Sequence, residues 1–151
     1  MNNSRPVSSG PERIPGAESL GMLALPDVRR KPDLIRLLKL GLPFSALARL
    51  RARMDLSAAK IAIRVNIPMR TLARRKKEGR FLPAESERLF RIASLFDRAE
   101  EVLGDLEAAR RWFRTPAKAF EGKTPLEYAD TEIGAREVED LLGRLEEGVF
   151  S

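Results

Sequence analysis

The stretch AAKIAIRVNIPMRTLARRKK, Ala58 to Lys77, decides the fold. Asn66-Ile67-Pro68 divides it into two short helical runs, Ala58–Val65 and Met69–Glu78. Ser57 is placed to cap the first run, and Pro68 suits the first position of the second. Ala62 is small where two crossing helices approach, and Ile61, Val65, Ile67 and Leu72 supply the apolar contacts between them. Asn66 falls where the turn wants a positive φ, which asparagine tolerates better than most residues. This spacing predicts a helix-turn-helix. Arg75 departs from the pattern, because a buried aliphatic residue commonly fills that position. Fewer contacts would then hold the second helix, unless Phe81 and Leu82 fold back onto it.

The second run carries a cation at five of its first nine positions, Met69 to Lys77. Arg70, Thr71 and Arg74 share a face and are placed to meet base edges, where arginine can bind guanine O6 and N7 together. Met69 stands beside them at the start of the run. Arg75, Lys76, Lys77 and Arg80 are assigned to phosphate, and Ser57 at the first helix start can also receive a phosphate oxygen. The surrounding charge agrees. The 151 residues carry a net +6, but residues 29–80 hold +13, residues 1–28 hold −1 and residues 81–151 hold −6. A segment so basic attracts a polyanion through counterion release. An acidic segment in the same chain points to a second partner of a different kind.

Outward from this motif the chain reads as all-α. Residues 1–31 hold four prolines and three glycines with no apolar period beyond Leu20–Leu25, so a disordered tail is expected. A short helix starts at Pro32-Asp33 and stops at Gly41, and another opens at Pro43 with Leu47, Leu50 and Met54 inward. The longest helix is expected from Leu82-Pro83 to about Leu103, with Leu89, Ile92, Phe96, Ala99 and Leu103 inward and Gly104 as its stop. The expected divisions are therefore a tail over 1–31, a helix-turn-helix domain over 32–104 and a small helical domain over 105–151.

In that last segment Asp105 caps a helix with Leu106, Ala109, Trp112 and Phe113 inward, and Thr124 with Glu127 fits a capping box. A final helix from about Glu132 to Glu147 turns Val138, Leu141, Leu142 and Leu145 to one face. Gly148 is expected to end it and release Val149 and Phe150 as an apolar tail. Such a tail either staples onto the core or fills a pocket on a partner.

Several function classes are disfavoured. Without cysteine there is no disulfide, thiolate metal site or cysteine nucleophile, and without histidine the commonest general base and metal ligand are missing. The carboxylates at Glu100-Glu101, Glu137/Glu139/Asp140 and Glu146-Glu147 have no phosphate loop or nucleophile elbow beside them. No enzyme activity, cofactor or metal is expected. With no membrane-spanning run or export signal, the expected location is the cytoplasm.

Ile67 to Lys76 with Gly79-Arg80-Phe81 resembles the Xre-type helix-turn-helix of antitoxins paired with RES-domain toxins. Ala108–Pro116, Gly122–Leu126, Asp130–Gly134 and Val138 through Phe150 resemble the MbcA/ParS/Xre toxin-binding domain. Ala117-Lys118 departs from that pattern, which more often places asparagine after the proline. The resemblance implies a type II antitoxin that binds operator DNA to autorepress its operon and occludes the active site of a toxin that degrades NAD. It places toxin contacts on Trp112, Glu132, Arg136, Glu139, Leu142, Glu146, Gly148, Val149 and Phe150. It also implies a homodimer and a larger hetero-oligomer with toxin. The alternative is a DNA-binding transcriptional regulator or partition-type adaptor without a toxin partner.

Overall fold

A computed structural model describes residues 30–150, with side chains described as far as Gly148. The tail expected over 1–31 lies outside the described residues except at its end, where Arg30 caps a helix that begins at Lys31. In chain order the helices are α1 (Lys31–Leu40), α2 (Ser45–Met54), α3 (Ala58–Arg64), α4 (Met69–Glu78), α5 (Pro83–Leu103), α6 (Leu106–Arg114), α7 (Pro125–Tyr128) and α8 (Glu132–Phe150), with a 3₁₀ turn at Lys118–Phe120. No strand occurs among the described residues. The all-α expectation holds.

The helix-turn-helix forms for the reasons its residues suggest. The Ser57 hydroxyl accepts the Lys60 N–H at 3.2 Å and starts α3. Asn66 takes φ +56°, and the Ile67 N–H donates to the Ala62 carbonyl at 2.8 Å across the turn. The second run spans Met69–Glu78 as expected, with Pro68 as its N-cap rather than its first helical residue, since its ψ of 149° is extended. Ile61, Ala62, Val65, Ile67 and Leu72 are buried together. Gly79 ends α4 at φ +79°.

Beyond Gly79 the chain folds back against the start of α2. Phe81 donates its N–H to Leu42 O and Phe44 donates to Gly79 O, both at 2.9 Å, and the Phe44 and Phe81 rings stack at 5.3 Å. Phe81 is buried, whereas Leu82 stays half-exposed, so only the first of the pair folds back. Gly41 is needed where these segments cross: its φ is +103° and a Cβ would run into the Phe81 carbonyl.

α5 is the spine. Leu89, Ile92, Ala93, Phe96 and Ala99 are buried along it, and it packs on α1 and α2 as well as on α6 and α8. One continuous apolar cluster therefore runs from Leu34 to Leu142. In α6, Ala109 and Phe113 are buried, with Phe113 5.5 Å from Phe96. Thr124 caps α7 by accepting the Glu127 N–H at 3.1 Å. The inward face of α8 is Ala135, Val138 and Leu142, with Leu141 partly covered. Leu145, expected inward, is exposed, because the face rotates towards Ala135 and leaves it at the margin. Gly148 does not end α8, which continues to Phe150. Gly148 is not at positive φ, so nothing there turns the backbone out of the helix.

Candidate nucleic-acid and partner interfaces

α4 presents two faces. Leu72 and Arg75 point into the protein, and Met69, Arg70, Ala73, Arg74, Lys76 and Lys77 point out. Thr71 is half-buried at the edge between them. Met69 is 56% exposed at the first turn. The helix-turn-helix thus gathers Ser57, Met69, Arg70, Thr71, Arg74, Lys76 and Lys77 at an accessible surface. Arg80 is exposed too, but its guanidinium donates to the Gly41 carbonyl at 3.0 Å, so it also braces the turn before α2.

Arg75 corrects the expectation of a phosphate contact. It is 6% exposed and faces Glu85 at the start of α5. Arg75 Nε donates to Glu85 Oε1 at 2.7 Å and a terminal nitrogen donates to Oε2 at 3.1 Å. The same carboxylate accepts the Leu82 N–H at 2.8 Å. Burial works to raise the Glu85 carboxyl, but the Arg75 and Leu82 hydrogen bonds and nearby positive charge outweigh it, leaving Glu85 below its ordinary value. Hydrogen bonding to Glu85, against an opposing burial effect, holds Arg75 above its ordinary value. The arginine fills the position of an aliphatic residue because a buried partner neutralises it.

The expected toxin-binding residues divide. Glu132, Arg136 and Glu139 are exposed on α8, with Arg136 donating to Glu132 at 2.8 Å one turn back. They line an open groove of about 290 Å³ with Phe90, Leu95 and Arg98 of α5. Glu146 is half-buried and paired with Arg98. Leu142 is 0% exposed and belongs to the core, so it is corrected as a contact residue. Trp112 is half-buried and edge-on to Phe113 at 5.4 Å, packed against the core rather than standing out as an anchor. The side chains of Val149 and Phe150 lie outside the described residues. Gly148 is exposed but within the helix, so the expected release of an apolar tail at that point is corrected.

Sequence reasoning missed several residues. Ile133, 77% exposed at the start of α8, is the most exposed large apolar side chain among the described residues. Arg88 donates to the Val65 carbonyl at 2.6 Å and holds the end of α3. Glu85 could have been found from its place three residues after the Leu82 cap, where a carboxylate reaches back to the chain.

Comparison with known proteins assigns the two halves. The family model described as "Antitoxin Xre-like helix-turn-helix domain" matches residues 33–94. That described as "Antitoxin Xre/MbcA/ParS C-terminal toxin-binding domain" matches residues 98–148. A protein named Antitoxin Xre from Yersinia enterocolitica is 38% identical over 120 residues, covering 78% of this chain and 81% of the relative. The chain belongs to the Xre family of antitoxins. Another Antitoxin Xre, from Photorhabdus laumondii, is 31% identical over 122 residues, covering 80% of this chain and 82% of its own. A third, from Pseudomonas putida, is 40% identical over 83 residues, or 54% and 52% of the two chains. In this Xre-family chain the helix-turn-helix match takes in the cationic α3–α4 unit, and the toxin-binding match takes in α6 to α8. The two matched segments meet within α5, between residues 94 and 98. No described helix is long and apolar enough to cross a membrane. No group of three or more metal-ligating side chains occurs among the described residues.

Proposed function

We propose that this chain is the antitoxin of a type II pair whose toxin is a RES-domain protein that degrades NAD. It acts by binding, with no chemistry of its own. Its helix-turn-helix domain, residues 32–104 by the sequence reading, holds operator DNA and autorepresses the operon. Arg70, Thr71 and Arg74 meet base edges, Met69 lies beside them, and Ser57, Lys76, Lys77 and Arg80 meet phosphates. Its C-terminal domain, residues 105–151 by the same reading, covers the toxin's active site through the exposed α8 face of Glu132, Arg136 and Glu139 and through the chain end. Two such chains pair to match a two-fold operator and join toxin in a larger complex, and the antitoxin works in the cytoplasm, where its operon lies.

The observation that carries this reading is the union in one chain of a cationic α4 face and a segment matching a toxin-binding domain. The test is co-expression with a RES-domain protein encoded beside this reading frame. Growth and cellular NAD should both recover, and the two proteins should co-purify. Failure to restore either, with soluble antitoxin present, would remove the toxin from the proposal and favour a regulator that acts on DNA alone.

A further inference from the structure

The last carbonyls of a helix have no partner within it and carry the negative end of its dipole. At the end of α2 the Arg51 carbonyl is taken by the N–H groups of Asp55 and Leu56. The next four carbonyls are all taken by two arginines of α6. Arg110 donates from Nε to Arg53 O at 2.9 Å and from a terminal nitrogen to Ala52 O at 3.1 Å. Arg114 donates to Met54 O at 2.8 Å and to Asp55 O. The two arginines are one helical turn apart, so one face of α6 caps the whole end of α2. A second tie joins Arg53 of α2 to Glu100 of α5.

The position of this cap matters. α2 lies in the segment matched as helix-turn-helix, whereas α6 lies in the segment matched as toxin-binding. At the last of the capped carbonyls Asp55 turns the chain with φ +53°, and only Leu56 and Ser57 separate it from α3. Where α2 ends therefore sets where α3 begins, and α3 sets the placement of α4. Arg110 spans its two acceptors with two nitrogens of one planar fork, whereas a single terminal nitrogen of Arg114 serves both of its acceptors.

We propose that Arg110 and Arg114 are positioning residues for DNA recognition: the toxin-binding half aims the helix-turn-helix by capping α2. The proposal rests on the operator-binding reading above. It assigns neither arginine to DNA and makes the DNA-binding head dependent on the half that faces the toxin.

The test uses the full-length Arg110→Ala/Arg114→Ala protein and two duplexes, the promoter upstream of its own reading frame and an unrelated sequence of equal length. Promoter affinity should fall roughly tenfold or more, within the range of couplings between distant sites. Affinity for the unrelated duplex should stay nearly unchanged. The dependence of log affinity on log salt should keep its slope, since no phosphate contact is lost. The Arg110→Lys/Arg114→Lys protein retains charge and side-chain stems but has no fork, so it should also lose promoter preference. It carries the test if the alanine protein does not fold. Three results would overturn the proposal: unchanged promoter preference in the folded variants, a slope shallower by about 0.9 per arginine, or full rescue by lysine. The second would make the arginines phosphate contacts, and the third would show that the forked donors of Arg110 are not needed to hold α2. If the unaltered chain shows no preference for its promoter, the operator reading fails first and takes this one with it.

Discussion

Arg75 of α4 and Glu85 of α5 form a buried, two-bonded ion pair, at 2.7 and 3.1 Å, on the inner side of the cationic helix. A cation that looks in sequence like one more phosphate contact is thus a bolt between α4 and the spine.

This sets Arg75 apart from its neighbours in a salt titration. Lys76→Ala should lower the salt slope of DNA binding by about 0.9, the amount expected for one phosphate, whereas Arg74→Ala should reduce promoter preference. Arg75→Met should leave the slope alone and lower Tm, because Glu85 remains buried with its guanidinium partner gone. It should lower Tm more than the exposed Lys76→Ala does. Equal Tm for the Arg75→Met and Lys76→Ala proteins would show that the pair does not hold the fold.

Acid should release the same bolt. Glu85 has its carboxyl lowered from the ordinary 4.5, so its ionised form is favoured by folding. That contribution is fully present above about 4.5 and is lost as pH falls through the lowered folded-state value. Thermal melts from neutral to acid pH should show Tm falling more steeply below that point in the natural chain than in Glu85→Gln. Parallel curves for the two proteins would mean that other carboxylates dominate acid unfolding.

Two substitutions one helical turn apart should separate the functions. Arg70→Ala with Arg74→Ala removes the two arginines placed at base edges, each worth about 1–3 kcal/mol of discrimination if it binds guanine with both donors. Promoter affinity should drop by more than tenfold, judged at about 1.4 kcal/mol per decade, while co-expressed toxin remains neutralised. Loss of neutralisation by a folded variant would contradict the division between the halves.

Deleting Gly148–Ser151 should do the reverse, weakening neutralisation in a growth assay and sparing DNA binding. Full protection by the shortened chain would show that its end is no anchor.

Gly134 gives a stability test within the C-terminal half. A Cβ there would run into the Tyr128 carbonyl, so the start of α8 can lie against α7 only with glycine at this point. Gly134→Ala should cost about 1–3 kcal/mol in urea unfolding, as overpacking does. A change below about 0.5 kcal/mol, the range of ordinary surface substitutions, would show that α7 moves aside easily.

The helices are legible in the sequence because glycine, proline and capping residues punctuate them. Ser57, Asn66, Gly79, Gly104, Asp105 and Thr124 each act locally, within four residues of the groups they affect. Facts that depend on distant partners are not legible. Arg75 reads as surface until Glu85, ten positions on, is seen against it. Arg110 and Arg114 reach carbonyls 57 to 60 positions away. Leu142 and Leu145 carry the same side chain, and only the rotation of α8 on α5 buries one and exposes the other. Gly148 shows the limit of local punctuation. Glycine permits a helix to stop but does not compel it, at a cost of about 1 kcal/mol for staying helical.

α5 is one unbroken helix across the join between the two matched segments. Chimeras that exchange heads between relatives therefore have no loop at that join. A graft made at Gly104 would transplant the entire rod with the head and leave the recipient's α6 and α8 against a foreign surface. A graft made within the rod must preserve helical phase, since one inserted residue turns everything beyond it by about 100°. On the proposed operator reading, moving DNA preference between members of this lineage thus calls for replacing the outward side chains of α4, not for exchanging whole blocks.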